Sequence, residues 1–296
     1  MDENKPTLMH FVNMEDPFSV LEEVKKTVSL IFPDFDYGTI DLVFNDLLNL
    51  FAGNYPGYRK CNTRYHDLKH TTDTFMALAR LIHGATNTGA DFTRRGTSLA
   101  LISALMHDTG YIQTDDDKTG TGAKYTLNHV DLSVDFMSDY FDKKGFSREN
   151  FSFCRNIVRC TGLEVDLAGI QFSDFENNLL GKMLGTADLQ GQMADRNYLE
   201  KLIHLYHEFR EGGVSGYESE LDLLRKTPDF YQMTLTRFDE ELDGVWRYMR
   251  HHFISRWGLD KDVYKTNIER HMAYIKQILR HHSDDYRRYL RRGCSL

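Results

Sequence analysis

The chain has 296 residues, of which 41% are hydrophobic and 27% are charged, and its formal net charge is −8. A chain of this length can bury a large core as one domain or as two packed subdomains. The acidic balance argues against sequence-independent nucleic-acid binding, so no nucleic acid is expected as a partner. Residues 247–292 are the exception, with 12 Lys and Arg against 5 Asp and Glu, a pattern typical of the solvated face of terminal helices.

Helical periodicity runs through nearly the whole chain. The first predicted helix begins at Pro17 with Asp16 as its N-cap, and the second covers residues 36–51. A third covers residues 62–82, and a fourth covers residues 98–110, where Gly110 closes it. Further helices are predicted over residues 124–141, 147–160, 173–189, 195–210, 237–253 and 263–282. Ser173 and Glu176 have the spacing of a capping box at the start of one of them.

Strand patterns are nearly absent, which predicts an all-α fold: a multi-helix bundle with no sheet beyond a stray bridge. We expect an N-terminal tail over residues 1–16 and a single helical domain over residues 17–296. Within that domain, residues 62–193 should form the core of the functional site, and residues 195–292 the C-terminal helices. The acidic loop 111–123 is long for a connection in a compact domain. The loop either has a functional role or is simply an acidic segment exposed to solvent.

The cysteines and the N-terminus bear on the compartment. Cys61, Cys154, Cys160 and Cys294 show no CxxC spacing, which favours reduced thiols. The N-terminus lacks the charged and apolar regions of a signal peptide, and no run approaches 18 consecutive apolar residues. We therefore expect a cytoplasmic protein with no membrane partner.

A polar stripe interrupts the predicted helix at residues 62–82. At about 100° per residue, His66, His70 and Asp73 fall on one side of a helix that is otherwise apolar. Unpaired polar groups in such a place cost several kcal/mol. The stripe must therefore face a ligand, a metal or a network of polar partners.

Two further polar intrusions follow on apolar helices. His107 and Asp108 end the helix in "SLALISALMHDTGY", and Asp188 is the lone acid in "LLGKMLGTADLQGQM". Singly, each has an ordinary explanation as a hydrogen-bonded histidine, a cap or a member of an ion pair. Together, imidazole and carboxylate side chains are the ligands of zinc, iron, manganese or nickel. His107 and Asp108 can converge on one ion only if the helix ends there, which Gly110 allows.

The segments "YHDLKHTTD", "MHDTGY" and "ADL" resemble the H…HD…D signature of the HD superfamily of metal-dependent phosphohydrolases. Among its branches, the chain most resembles the catalytic domain of cyclic nucleotide phosphodiesterases over residues 65–193. That family's motifs fall on Tyr65, His66, Asp67, His70 and Asp73, on His107 and Asp108, on Asn128 and His129, and on Asp188.

The resemblance implies a role for each of these residues. His70, His107, Asp108 and Asp188 would bind one divalent ion, and Asp108 would bridge to a second. The ions would be Mg, Mn, Zn, Ni or Fe. His66 would be the general acid, and Asp73 would orient a histidine ligand. The other matching residues, near the metal ligands or the substrate, would be Tyr65, Tyr111, Asn128 and His129.

Some positions depart from the phosphodiesterase pattern. Tyr111 stands where that family has a third histidine, and Leu127 where it has a glutamate before the asparagine-histidine pair. No residue clearly matches its purine-binding glutamine, for which Gln232 is a weak candidate. The metal site therefore carries over, whereas cyclic-nucleotide specificity does not. The expected substrate is a small phosphorylated or nucleotide-like molecule, and a homodimer is left open.

Two alternatives to a phosphohydrolase remain. A di-iron oxygenase of the HD type needs two further histidines between His107 and Asp188, and the chain has only His129 there. A non-catalytic metal- or ligand-sensing module needs only the ligands. The presence of His66, which binds no ion in this scheme, favours catalysis over sensing.

Overall fold

The structure, a computed structural model, describes residues 6–290. Over this range the chain forms twelve α-helices, and its one extended pairing is an isolated antiparallel bridge between Tyr58 and Thr114. The all-α prediction is confirmed. In chain order the helices are α1 (Pro17–Ser29), α2 (Gly38–Ala52), α3 (Leu68–Thr86), α4 (Arg94–Met106), α5 (His129–Lys144), α6 (Arg148–Arg159), α7 (Phe175–Ala194), α8 (Tyr198–Glu211), α9 (Glu220–Glu240), α10 (Tyr248–Trp257), α11 (Val263–His281) and α12 (Tyr286–Leu290).

Helix α3 is the centre of the bundle. It packs against α1, α4, α7 and α10, and every residue from His70 to Ala85 is buried. Its most extensive partner is α7, which approaches closely at Gly191. A Cβ atom at Gly191 would lie 3.2 Å from backbone atoms of Asp73 and Thr74, so glycine permits this approach. The close packing holds the polar residues of α3 and α7 at a fixed separation.

Helix α3 is shorter than the sequence predicted. Asp67 is its N-cap, and the Asp67 carboxylate accepts a 2.9 Å hydrogen bond from the backbone N–H of His70. The prediction that this helix begins near residue 62 is therefore wrong. His66 lies in the bend before the helix, so the three residues of the predicted stripe do not share one helical face.

Two other helix boundaries also differ from prediction. The N-cap of α7 is Asp174, whereas Glu176 accepts a hydrogen bond from the backbone N–H of Thr93, so the capping box at Ser173 is wrong. The helix predicted over residues 237–253 is two helices. Helix α9 ends at Glu240, the chain turns where Gly244 adopts a φ of 64°, and α10 begins at Tyr248.

The N-terminal segment is not a free tail where the structure describes it. Leu8, Val12 and Met14 are buried in the main core, so the tail predicted for residues 1–16 is wrong for residues 8–14. Residues 1–5 and 291–296 lie outside the described range, and Cys294 with them. Cys61, Cys154 and Cys160 are free thiols. Among residues 6–290, no helix has the length and apolar character needed to cross a membrane.

A neutral histidine pair is buried between α3 and α10. The Nδ1 atoms of His83 and His252 lie 3.0 Å apart, and His83 is 4% exposed. Burial lowers the pKa of His83 to about 4, and the charge of Arg256 acts in the same direction. Burial, together with the charge of Arg80, also holds the pKa of His252 well below its usual range. The folded protein therefore keeps both rings uncharged.

This pair should make folding sensitive to mild acid. Histidines of the unfolded chain take up protons near pH 6.5, while the folded pair resists protonation until about pH 4. The free energy of unfolding should therefore fall by about 1–3 kcal/mol as the pH drops through that window. Urea titrations at pH 7 and pH 5 measure this change, and the variant His83→Gln should show a smaller loss. An equal loss in both proteins would contradict the assignment.

Candidate metal centre

Three helices of the bundle core bring four polar side chains together. His70 is the third residue of α3, His107 directly follows the last residue of α4, and Asp188 lies on α7. Asp108 comes next to His107, where the chain has left the helix. We call His70, His107, Asp108 and Asp188 the metal cluster.

The side-chain atoms of the metal cluster lie at short distances from the two histidine nitrogens. The Nε2 atom of His70 lies 3.1 Å from Asp108 Oδ2, 3.1 Å from Asp188 Oδ1 and 3.2 Å from His107 Nε2. The Nε2 atom of His107 lies 3.3 Å from Asp108 Oδ2 and 3.6 Å from Asp188 Oδ1. Neighbouring ligands that each lie about 2.1 Å from an ion are separated by about 3.0–3.4 Å. The buried group of His70, His107 and Asp108 can therefore hold a metal ion, and Asp188 Oδ1 lies beside the two histidine nitrogens.

Hydrogen bonding within the metal cluster also fits an ion. His107 Nδ1 lies 2.8 Å from the carbonyl oxygen of Ala104, so that nitrogen carries a proton and Nε2 is the ring atom that faces the cluster. Asp108 Oδ2 is buried and has no hydrogen-bond partner, although two imidazole nitrogens lie close to it. A buried carboxylate oxygen without a donor is costly. A cation at this point would satisfy it.

The charges in the metal cluster stabilise one another. Burial lowers the pKa of His70, but the adjacent carboxylates of Asp108 and Asp188 outweigh burial and raise it to about 9. Burial raises the pKa of Asp108, but the positive charges of His107 and His70 outweigh it and hold that pKa well below its usual range. The two carboxylates therefore stay ionised, as metal ligands must.

His66 lies beside the metal cluster and is held by a glutamate. The Nδ1 atom of His66 is 2.7 Å from Glu208 Oε2 on α8. Glu208 Oε1 accepts hydrogen bonds of 2.7 Å from the backbone N–H groups of Arg64 and Tyr65. Burial raises the pKa of Glu208, but these hydrogen bonds, that of His66 first, outweigh burial and lower it. The bend before α3 and the ring of His66 are thus fixed by one ionised side chain.

Three rings stack along one side of the site. The ring centroids of His66 and Tyr111 are 4.3 Å apart with nearly parallel planes, and those of Tyr111 and His129 are 4.6 Å apart. His129 Nε2 lies 3.8 Å from Asp108 Oδ1, and His129 is partly exposed at the rim. Tyr111, which replaces a histidine of the phosphodiesterase pattern, therefore separates two histidines instead of joining the metal cluster.

Tyr65 and Asp73, which the sequence also predicted as site residues, differ in whether they are linked to the metal cluster. The Tyr65 hydroxyl donates to Gln192 Oε1, and Gln192 Nε2 lies 3.4 Å from Asp188 Oδ1. Tyr65 is thus linked to the metal cluster. Asp73 is not, because its carboxylate pairs with Lys69 at 2.6 Å. The expected contact between Asp73 and a histidine ligand is not formed.

A cavity of about 700 Å³ opens onto the metal cluster. Its lining includes Tyr65, His66, Tyr111, Asn128, His129 and three of the metal-cluster residues, His70, Asp108 and Asp188. A second part of its lining comes from α8, α9 and the segment that follows α6. Gln232 is exposed on α9 and is not part of the lining. Of the acidic loop 111–123, only Tyr111 reaches the cavity.

Sequence reasoning missed Glu208 and Gln192. Glu208 lies on α8 beside Leu205 and Phe209, but Lys201, His204 and Glu211 occupy neighbouring positions around the same helix, so no local signal marks it. Gln192 lies one helical turn after Asp188 and has no comparable signature, because glutamine is common on helices.

Residues 34–250 match the Npun_R2479-like family, and the chain belongs to that family. The matched range runs from before α2 into α10 and contains the metal cluster, His66 and Glu208. No curated protein matches the chain.

Proposed function

We propose that this protein is a metal-dependent phosphohydrolase of the HD type that hydrolyses a phosphoester bond in a small organic molecule. The observation that supports this most strongly is the placement of His66. Its ring lies beside the metal cluster and on the same cavity, yet its Nδ1 atom is bonded to Glu208 and not to the cluster. A purely metal-binding module needs only the metal cluster, whereas an acid catalyst requires a further histidine that is held separately from the ion.

The metal cluster would hold a divalent ion through two imidazole nitrogens and two carboxylate oxygens. Such an ion polarises a phosphoryl oxygen and lowers the pKa of a water molecule towards neutrality. Hydrolysis then adds the oxygen of water to phosphorus and breaks one P–O ester bond. The departing oxygen needs a proton, which the chain itself must supply.

In this proposal His66 gives that proton. With Nδ1 directed to Glu208, its Nε2 atom is free to act on the cavity side, and a protonated ring carries a proton on each nitrogen. Glu208 is itself held by two backbone N–H groups, so the ring has little freedom to turn. Fixed orientation of an acid next to the leaving oxygen is what general acid catalysis requires.

The carboxylate of Asp108 faces two directions. Its Oδ2 atom is close to His70 and His107, whereas Oδ1 lies 3.8 Å from His129 Nε2 on the other side. This arrangement supports a bridging role for Asp108, with a second ion on the side of His129. One or two ions per chain are consistent with these donors.

A direct screen tests the proposal. Purified protein, freed of metal and reloaded separately with Mn²⁺, Mg²⁺, Zn²⁺ or Ni²⁺, should hydrolyse bis(p-nitrophenyl) phosphate or another phosphoester with at least one of these ions. The panel should include cyclic nucleotides, nucleoside mono- and triphosphates and cyclic dinucleotides. Metal content is measured by elemental analysis.

Two outcomes would contradict this function. Tight metal binding without turnover of any phosphoester would indicate a sensing module. Bound iron with oxygen consumption would indicate an oxygenase.

A further inference from the structure

We infer that the group esterified to the phosphate is an apolar organic group, such as an aliphatic chain, and not a nucleoside. This inference rests on the proposed phosphohydrolase function and specifies its substrate class. It comes from the part of the cavity wall that lies away from the metal cluster.

The apolar wall begins beside the His66–Glu208 pair. Helix α8 carries Leu202, Leu205 and Phe209, which all line the cavity, at spacings of three and four residues. Such spacings put side chains on one face of a helix. Glu208, which holds His66, is three residues after Leu205 and directly precedes Phe209 in the same helix. The group whose oxygen His66 protonates therefore lies next to this wall.

The same surface continues onto α9 and the chain that follows α6. Leu223 and Phe230 of α9 line the cavity, as does Leu163 beyond α6. Leu163 is 52% exposed and Leu127, which also lines the cavity, is 68% exposed. Exposed leucines at the rim of an apolar cavity lose contact with water when an apolar ligand covers them.

Two of the four side-chain amides in the cavity lining are already engaged, and the other two, on Asn128 and Gln171, are exposed. Gln192 accepts from Tyr65 and donates to Asp188, and the amide nitrogen of Asn156 donates to the carbonyl oxygen of Gln171 at 2.8 Å. Reading the edge of a nucleobase requires donors and acceptors that are free to pair with it. Leaving the polar edge of a base unpaired against leucine and phenylalanine side chains would be unfavourable. An alkyl or other apolar group has no such requirement.

Chain-length dependence of binding tests the inference. We would titrate Mn²⁺-loaded protein calorimetrically with ethyl-, butyl-, hexyl- and octylphosphonate, each below its critical micelle concentration, and with adenosine 5′-monophosphate. Each added methylene should tighten binding about two- to fourfold until the cavity is filled. Hexylphosphonate should bind more tightly than the nucleotide.

Variants locate the effect in the cavity. Leu205→Asn on α8 and Phe230→Gln on α9 should each flatten the dependence on chain length. Leu42→Asn, at an exposed leucine of α2 outside the cavity lining, should leave it unchanged. Circular dichroism and melting temperature show whether each variant is folded. Two cavity variants are used so that the test remains possible if one of them does not fold.

The outcomes separate this inference from the proposed function. A steep chain-length dependence without hydrolysis of the matching alkyl p-nitrophenyl phosphodiesters supports the apolar ligand and overturns the phosphohydrolase. If the protein hydrolyses phosphoesters but its affinity for alkylphosphonates does not depend on chain length, the inference of an apolar substrate group is wrong, whereas the proposed phosphohydrolase function stands. Absence of binding at every chain length, or tighter binding of the nucleotide than of hexylphosphonate, also overturns the inference.

Discussion

Replacing Asp108 by alanine should abolish metal binding and phosphoester hydrolysis together. Asp108 supplies the one carboxylate that approaches both His70 and His107 and also faces His129. In the proposed mechanism, its loss would remove a charged ligand from the first ion and the bridge to a second. We expect the metal content of the purified protein to fall several-fold and turnover to drop by about 10³-fold or more, since the proposed nucleophile is a water polarised by the metal.

Stability separates the loss of a ligand from the loss of the fold. In metal-free protein, Asp108→Ala leaves the positive charges of two buried histidines without one of their partners, so metal-free wild-type protein is the proper reference for its melting temperature. Asp142→Ala, at an exposed aspartate of α5, should keep full metal content and activity. Full metal content and activity in Asp108→Ala would show that the metal cluster is wrongly assigned.

Replacing His66 by asparagine should reduce turnover while the metal stays bound. The metal cluster does not include His66, so metal content should be unchanged. Positioned proton transfer is typically worth about 10²–10⁴-fold, and turnover of substrates with poor leaving groups should fall by that order. The loss should shrink for p-nitrophenyl esters, because nitrophenolate departs without needing a proton.

A structural role for His66 predicts a different result. If the ring served only to pair with Glu208, the variant would lose about 1–3 kcal/mol of stability, with activity per folded molecule unchanged. Rates on two leaving groups, metal content and melting temperature together distinguish the two roles. His281→Asn, at an exposed histidine of α11, is the matched control. A destabilised His66→Asn protein with normal specific activity would end the catalytic assignment.

Helix content and the identity of the metal cluster were predictable from local sequence. The 3.6-residue period of apolar side chains gives α-helices without reference to the rest of the chain, and Asp16 with Pro17 marked the start of α1 correctly. His70, Asp108 and Asp188 stood out for a physical reason: a polar side chain on an apolar helix is too costly to bury without a partner. The structure brings these residues together with His107.

Helix boundaries were less predictable where more than one residue could cap the helix or where a tertiary contact outweighed the local sequence pattern. Asp67 forms the N-cap of α3, because its carboxylate accepts from the backbone of His70, and this excludes His66 from the helix. Asp174, not Ser173, caps α7, since the Glu176 side chain binds the neighbouring α4 start instead. Helix α9 passes through Pro228, a residue that usually ends a helix, because it packs against α8 and α11.

Only the tertiary structure decided which residues that are distant in sequence contribute to the site. Glu208 is 142 residues from His66 in the chain, and no local pattern indicates that their side chains meet. Asp73, by contrast, has the spacing of a site residue, but its carboxylate pairs with Lys69 and not with a histidine of the metal cluster. Helical period fixes which face of its own helix a residue occupies. Which neighbour that face meets depends on how α3, α7 and α8 pack, and that is a property of the whole chain.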